Sequence, residues 1–400
     1  MYMLKFEQMK PHTETFETSK PRFEILDGLR GVAAMIVVAF HLFETYSKGP
    51  ATQIINHGYL AVDFFFMLSG FVIGYAYDDR WLQGMTQCDF FKRRLIRLQP
   101  MVIMGAIIGA LWYFFQTSDA FPLIEQTPWW MVLVIMLLAC IMFPTPLSMD
   151  IRGWQETSSL NGPQWSLMWE YLANILYATI VRHFSKFWLA IFVGLSGTLT
   201  IILCCDINLW GIFNGREYAA YSVIGGWSLT PCQLFIGITR LLFPFFGGLL
   251  IYRIGAKLKL SSYGFFICSI LLAVVLCFPH IGGDKPNIIN GFYCLISIMI
   301  FFPVIVMTGA GSPLAGRYSI AVCKWLGEIS YPLYITHYPL IYLQVSWLHN
   351  HPNAPIGTQI FLNICVFIIA VVIAYASLKL YDLPVREWLK NKFLYSKSRK

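Results

Sequence analysis

Apolar residues run along this chain in long unbroken blocks, and the blocks recur from residue 25 almost to the C-terminus. Such blocks suit helices immersed in lipid, not the alternating or one-faced patterns of a soluble core. Stretches near the roughly 20 residues needed to cross a bilayer lie at 25–43, 58–77, 101–115, 129–143, 165–180, 187–205, 234–252, 263–279, 288–308, 325–347 and 360–381. The polar linkers between them are too short for a separate soluble domain. The pattern predicts an all-α polytopic membrane protein: a polar segment at 1–24, a transmembrane region over 25–381 and a basic tail over 382–400. Composition agrees, with 57% apolar and only 12% charged residues, where a soluble domain carries about a quarter charged. The first 24 residues lack the apolar core and small-residue cleavage site of a signal peptide, so the first helix is expected to stay as an anchor.

The net charge of +8 is read here as topology, not as affinity for nucleic acid. With the N-terminus in the cytoplasm, Lys5, Lys10, Lys20 and Arg22 lie inside, as do Arg80, Lys92, Arg93, Arg94 and Arg97 after two crossings. Counting back from a cytoplasmic C-terminus puts Arg386, Lys390, Lys392, Lys397, Arg399 and Lys400 inside. Only Lys48, Arg152, Arg216 and Lys285 then fall on outer loops, a strong positive-inside bias. Two cytoplasmic termini need an even number of crossings, yet the stretches number eleven. About ten transmembrane helices plus one re-entrant or interfacial stretch are therefore expected. The odd one belongs between residues 99 and 163, where 101–115 and 129–143 are the shortest stretches and Pro100, Pro122, Pro128, Pro144 and Pro146 interrupt. Irregular backbone at that depth needs protein or a wet cavity beside it.

Ionisable residues inside apolar stretches mark candidate sites, because lipid penalises charge. Arg30 and His41 are eleven positions apart, which at about 100° and 1.5 Å per residue puts them on one helix face, roughly 16 Å apart. The plainer alternative is a snorkelling Arg and a His bonded to a neighbouring helix. On the expected topology His41, Asp63, Glu170, Arg240 and His337 all fall in the outer half, with Ser330 and Tyr334 beside His337, suggesting a shared outward-facing cavity. A His near neutrality is a natural base for a hydroxyl nucleophile, and Glu170 or Asp63 could fix its tautomer. On the inner side Lys92, Arg93, Arg94 and Arg97 stand at the mouth of the third stretch, Arg93 and Arg97 as an i, i+4 pair. Such a pair suits the phosphates of a nucleotide-like or coenzyme A headgroup, or simply anionic lipid. The ten cysteines form no CxxC pair, so neither a disulfide framework nor a metal site is indicated. A second class, a transporter or flippase for a glycan or glycolipid, also fits mid-membrane polar groups and an irregular stretch.

Six segments in order give the chain a family resemblance: LDGLRGVAA at 26–34, with Arg30 ahead of His41; GYLAVDFFFMLSG at 58–70; FKRRLIRLQP at 91–100; WSLMWE at 165–170; LGEISYPLYITH at 326–337; and DLP at 382–384. Together they resemble the acyltransferase-3 family of bacterial integral-membrane O-acyltransferases, nearly end to end. Two departures are conservative: Leu98-Gln99 in place of a more usual Ile-Tyr or Leu-Tyr, and Asp382 where the family commonly has Glu. The resemblance implies transfer of an acyl group, usually acetyl, from cytoplasmic acyl-coenzyme A to a hydroxyl of an extracytoplasmic or lipid-linked glycan. It implies a bacterial inner-membrane location, no metal, essential roles for Arg30 and His41, and donor contacts for Arg93 and Arg97. His41 would act as base or as acyl acceptor; Arg240 and His337 would orient acceptor or stabilise an oxyanion. Succinyl or longer donors stay open, as does the acceptor glycan. The chain reads as the stand-alone type, without a fused hydrolase-like domain.

Overall fold

The computed structural model describes residues 22–283 and 285–394. The expectations for residues 1–21 and 395–400, including Lys5, Lys10, Lys20, Lys397, Arg399 and Lys400, lie outside the described residues. Among the described residues the regular structure is helical throughout. The first seven helices are α1 (Glu24–Glu44), α2 (Ala61–Leu82), α3 (Gln87–Trp112), α4 (Trp129–Cys140), α5 (Gln164–Thr179), α6 (Lys186–Cys204) and α7 (Pro231–Ile254). They are followed by α8 (Gly264–Cys277), α9 (Ile288–Ile296), α10 (Phe302–Gly311), α11 (Arg317–Thr336), α12 (Tyr338–Asn350), α13 (Ile356–Ser377) and α14 (Leu383–Phe393). A π turn, Ser297–Phe301, carries α9 into α10, and another, Leu378–Asp382, carries α13 into α14. Seven helical runs are long and apolar enough to cross a membrane by themselves. The chain is a polytopic membrane protein, as the blocks of apolar sequence predicted.

Two boundaries differ from the sequence reading, each for a local reason. Helix α3 begins at Gln87, well before the expected start near Met101, because Thr86 and Asp89 close a capping box at its N-terminus. The basic run at 92–97 therefore lies within a helix, about two turns in, and not on a loop at its mouth. The stretch at 325–347 is two helices that meet at His337. Pro339 has no N–H to offer the carbonyl of Ile335, and the Asn161 side chain donates to that carbonyl instead, at 2.7 Å.

Between α3 and α5 the chain is irregular. Helix α4 has 12 residues, about 18 Å of rise, well short of the ~30 Å hydrocarbon core. It descends beside α3 and stops where the Gln99 side chain reaches the carbonyl of Cys140. The chain then climbs back to Ile151, whose carbonyl accepts from the Tyr113 hydroxyl beyond the end of α3. It dips again from Thr157 to Gln164, in a run that is buried throughout. Polar backbone survives there because partners are supplied: Thr157 N–H donates to Trp227 at 2.7 Å, and Gln164 donates to the carbonyl of Val102 at 3.0 Å.

Two parallel helix pairs set the frame. In the first, α1 lies along α11, so that Arg30 meets Ser330 and, further along, His41 meets His337. The axes approach closely through glycine: a Cβ at Gly31 would sit 2.5 Å from the carbonyl oxygen of Leu326. In the second, α2 lies along α7, joined by Asp63 and Arg240. The bundle thus has a basic end, where α1 and α11 start and α2 and α7 finish, and an opposite end that carries His41. Replacing Gly31 by Leu is expected to cost stability on the scale of about 1–3 kcal/mol or more by overpacking, read as a lower thermal midpoint in detergent. Gly247→Ala, where an added Cβ meets nothing within 4 Å, should leave that midpoint in place.

Candidate active site

His41 stands near the end of α1 with its side chain 18% exposed. Its Nδ1 lies 2.8 Å from Oε2 of Glu44, one turn further along the same helix. With the proton of Nδ1 directed at the carboxylate, Nε2 keeps its lone pair, the arrangement a general base requires. The His41 ring stacks on that of His337 at 5.6 Å and meets the Tyr338 ring edge-on at 4.7 Å. His337 is fully buried; its Nδ1 faces the carbonyls of Leu333 and Tyr334 at 3.0 Å, while its Nε2 has no partner among the described residues. An unpartnered buried nitrogen beside a candidate base asks for a ligand.

Behind Tyr338 lies a second polar cluster. The Tyr338 and Tyr342 rings are 4.7 Å apart, and the Tyr342 hydroxyl donates to Glu156 at 2.6 Å. Arg152, wholly buried, stacks 3.6 Å above the Tyr342 ring and donates to Gln116 and to the carbonyl of Ser159. Glu156 belongs to the loop before α5, and burial pushes its carboxyl up to about 7. Gly162 keeps this corner open, since a Cβ there would lie 2.8 Å from Tyr338 and 3.0 Å from Glu156 Oε1.

At the basic end the bundle opens into a cavity of about 1120 Å³. Seven cations line it, Arg97, Lys324 and Lys390 among them, against five carboxylates, Glu24, Asp27, Glu170, Glu328 and Glu387, so its walls carry a modest cationic excess. Arg30 is held from three sides, by Ser330 at 2.9 Å, Asp27 at 2.9 Å and the carbonyl of Gly327 at 3.3 Å. Arg94 pairs with Glu170 at 2.7 Å. The cavity reaches inward to Ser166 and Tyr334, whose hydroxyls are 2.7 Å apart. From Tyr334 the rings lead on: Tyr334 to His337 at 6.1 Å, then His337 to His41.

This geometry redistributes the residues expected in one outward-facing cavity. His41 and His337 do come together. Glu170 does not join them; it faces the basic-end cavity, paired with Arg94, because α5 starts only after the buried loop and its first turns lie deep in the bundle. Asp63 and Arg240 bind each other, at 2.7 and 3.3 Å, and Arg240 also donates to the carbonyls of Tyr59 and Gly225. Neither is free to orient His41, whose carboxylate is Glu44. Arg94 and Arg97 line the cavity, whereas Arg93 lies outside its lining. The sequence reading missed Glu44, Arg152, Glu156, Tyr338 and Tyr342. The His-x-x-Glu spacing could have revealed Glu44; the others meet only through the fold.

The family model described as "Acyltransferase domain" matches residues 23–378 of the chain. Among named relatives, the peptidoglycan O-acetyltransferase OatA of Listeria monocytogenes is 23% identical over 92% of this chain and 56% of its own length. "Protein 2 in picA locus" of Rhizobium radiobacter is 34% identical over 39% of this chain and 81% of its own length. The chain spans about half the length of the O-acetyltransferase it matches. No solved structure matches it.

Two replacements read what the buried ion pair between Asp63 and Arg240 contributes to stability. Asp63→Ala should strand a buried cation and cost roughly 3–5 kcal/mol, lowering the unfolding midpoint in detergent. The double change Asp63→Leu with Arg240→Met should regain most of that loss.

Proposed function

The chain belongs to the acyltransferase family whose model covers it, and from that premise we propose that it transfers an acyl group, acetyl foremost, from cytoplasmic acyl-coenzyme A to a hydroxyl of an extracytoplasmic or lipid-linked glycan. The observation that carries this reading is the continuous series from a cationic cavity, through Tyr334 and His337, to His41 with its carboxylate partner. The positive-inside bias assigns the basic end to the cytoplasm, so the cavity faces the donor and His41 the acceptor. OatA, by its name, acetylates peptidoglycan, which supports a glycan as acceptor here.

In this scheme Arg97 and Arg94 attract the donor's phosphates, and Arg97 suits the task because it makes no hydrogen bond to a described residue. The thin acyl-bearing arm extends past Ser330 towards Ser166 and Tyr334. Opening the Ser166–Tyr334 contact admits the thioester to the histidine pair. His41 Nε2 takes the proton of the acceptor hydroxyl as its oxygen attacks the thioester carbon. Glu44 stabilises the resulting imidazolium through Nδ1–H. The tetrahedral oxyanion needs a donor at its edge, and the hydroxyl of Tyr338, whose ring lies 4.7 Å from that of His41, serves as that donor. The C–S bond then breaks, and His41 returns its proton to the departing thiolate. Attack by His41 itself, followed by acyl passage to the acceptor, uses the same groups. Arg30, Asp63 and Arg240 serve as positioning residues, the first for α11 and the pair for α2 against α7.

With labelled acetyl-coenzyme A and membranes containing the native acceptor, His41→Ala is expected to lower transfer by about 10²–10⁴-fold while the protein still accumulates. Normal transfer by that variant overturns the assignment. Arg97→Ala should instead raise the donor KM with a smaller change in kcat, separating donor binding from proton transfer.

A further inference from the structure

The loop that precedes α5 brings an indole to the end of the bundle that carries His41. Trp154 stands 38% exposed there, between Gly153 and Gln155, which are exposed as well. The ring is held in place. Its Nε1–H donates to the carbonyl of Ala120 at 3.1 Å, and it packs against the rings of Phe121, at 4.9 Å, and Tyr342, at 6.0 Å. Asp150 fixes the backbone on both sides of it, accepting from the N–H groups of Arg152, Gly153 and Gln155 at 2.9, 3.1 and 2.8 Å. From Trp154 a run of rings leads back to the candidate base: Tyr342 lies 4.7 Å from Tyr338, and Tyr338 lies 4.7 Å from His41. Carboxylates accompany the run. Glu156 accepts from the Tyr342 hydroxyl, Glu44 holds His41 with its own side chain 51% exposed, and both lie within electrostatic range of the Tyr338 hydroxyl.

A pyranose has a face of C–H groups and a rim of hydroxyls. The C–H face is apolar and slightly positive, so it lies well on the negative π-face of an indole. The hydroxyls donate to carboxylates, the stronger kind of hydrogen bond. A fixed aromatic plate, an exposed carboxylate and a base at the far end of the run answer both needs. Trp129 and Trp130, exposed at the start of the apolar helix α4, suit the bilayer interface; Trp154 is flanked instead by Gly153 and Gln155. We propose that Trp154 is a sugar-binding subsite on the acceptor side, stacking on a ring of the glycan chain further along from the one whose hydroxyl meets His41, while Glu44 offers its second oxygen to hydroxyls between them. The inference rests on the acyl-transfer reading with a glycan acceptor.

Single sugars and tetrasaccharides cut from peptidoglycan serve as acceptors, with labelled acetyl-coenzyme A and detergent-opened membranes containing the full chain. Any pyranose presents a C–H face to stack, so these fragments probe the subsite whatever the native acceptor. The unaltered protein should favour the tetrasaccharide. Trp154→Ala should raise the KM for the tetrasaccharide by about tenfold, the scale of one aromatic stacking contact, and leave kcat, the KM for acetyl-coenzyme A and the rate with single sugars in place. Trp154→Phe, which keeps an aromatic face, should regain most of that loss. A rise in KM shared by single sugars or by the donor, as loss of a bilayer anchor or a folding defect would give, overturns the subsite. Unchanged values overturn it too, as does transfer to the native acceptor with none to either fragment. If the membranes transfer label neither to the fragments nor to their native acceptor, the acyl-transfer reading itself falls, and the subsite with it.

Discussion

The close parallel packing of α1 against α11 is the contact on which the rest of this structure depends. Gly31 and Gly327 let the two helices approach to backbone distance, and at that spacing their polar residues meet in register. Arg30 reaches Ser330 near the basic end, and His41 reaches His337 near the other. A wider crossing would leave Arg30 with only Asp27 and His41 with only Glu44, each on its own helix. The break at His337 belongs to the same arrangement. Pro339 frees the carbonyl of Ile335, Asn161 fills it, and the buried loop is thereby tied to the helix that presents His337. One sequence feature therefore fixes both the histidine pair and the loop that carries Arg152 and Glu156.

Desolvation sorts the remaining charges into two kinds. Asp63 with Arg240 and Arg253 with Asp78 are closed pairs, each satisfied by its partner and by nearby carbonyls or hydroxyls. Such pairs hold helices in place and have little left to offer a ligand. His337 Nε2 and the guanidinium of Arg97 are of the second kind, without a hydrogen-bond partner among the described residues. They lie at the two ends of one series of polar groups. That separation between spoken-for and open polar groups, more than the number of intramembrane charges, is what distinguishes a reaction path from structural ion pairing.

Much of the architecture was legible in the sequence because lipid imposes a simple rule on it: apolar blocks of spanning length become helices. The proline-interrupted run between residues 99 and 163 holds a short helix, α4, of 12 residues. Arg30 and His41 stand out for the same reason, as costly residues on one stripe, and that stripe faces α11. Depth along a helix, however, says nothing about partners. Asp63, Glu170 and Arg240 were placed correctly in apolar stretches, yet each is bound to another charge, and the carboxylate beside His41 is Glu44. Arg152 and Glu156 were invisible as site residues because a loop has no periodicity to reveal where it folds back, and Tyr338 and Tyr342 read as ordinary apolar filling.

The central claim is that one route joins a donor site at the basic end to His41 at the other. Sealed membrane vesicles of known orientation test it most directly, with labelled acetyl-coenzyme A supplied on one face only. Transfer to acceptor in vesicles that expose the basic end, and none in vesicles of the reverse orientation, is the outcome predicted. Transfer from donor supplied on the His41 face, with none from the basic face, contradicts the account.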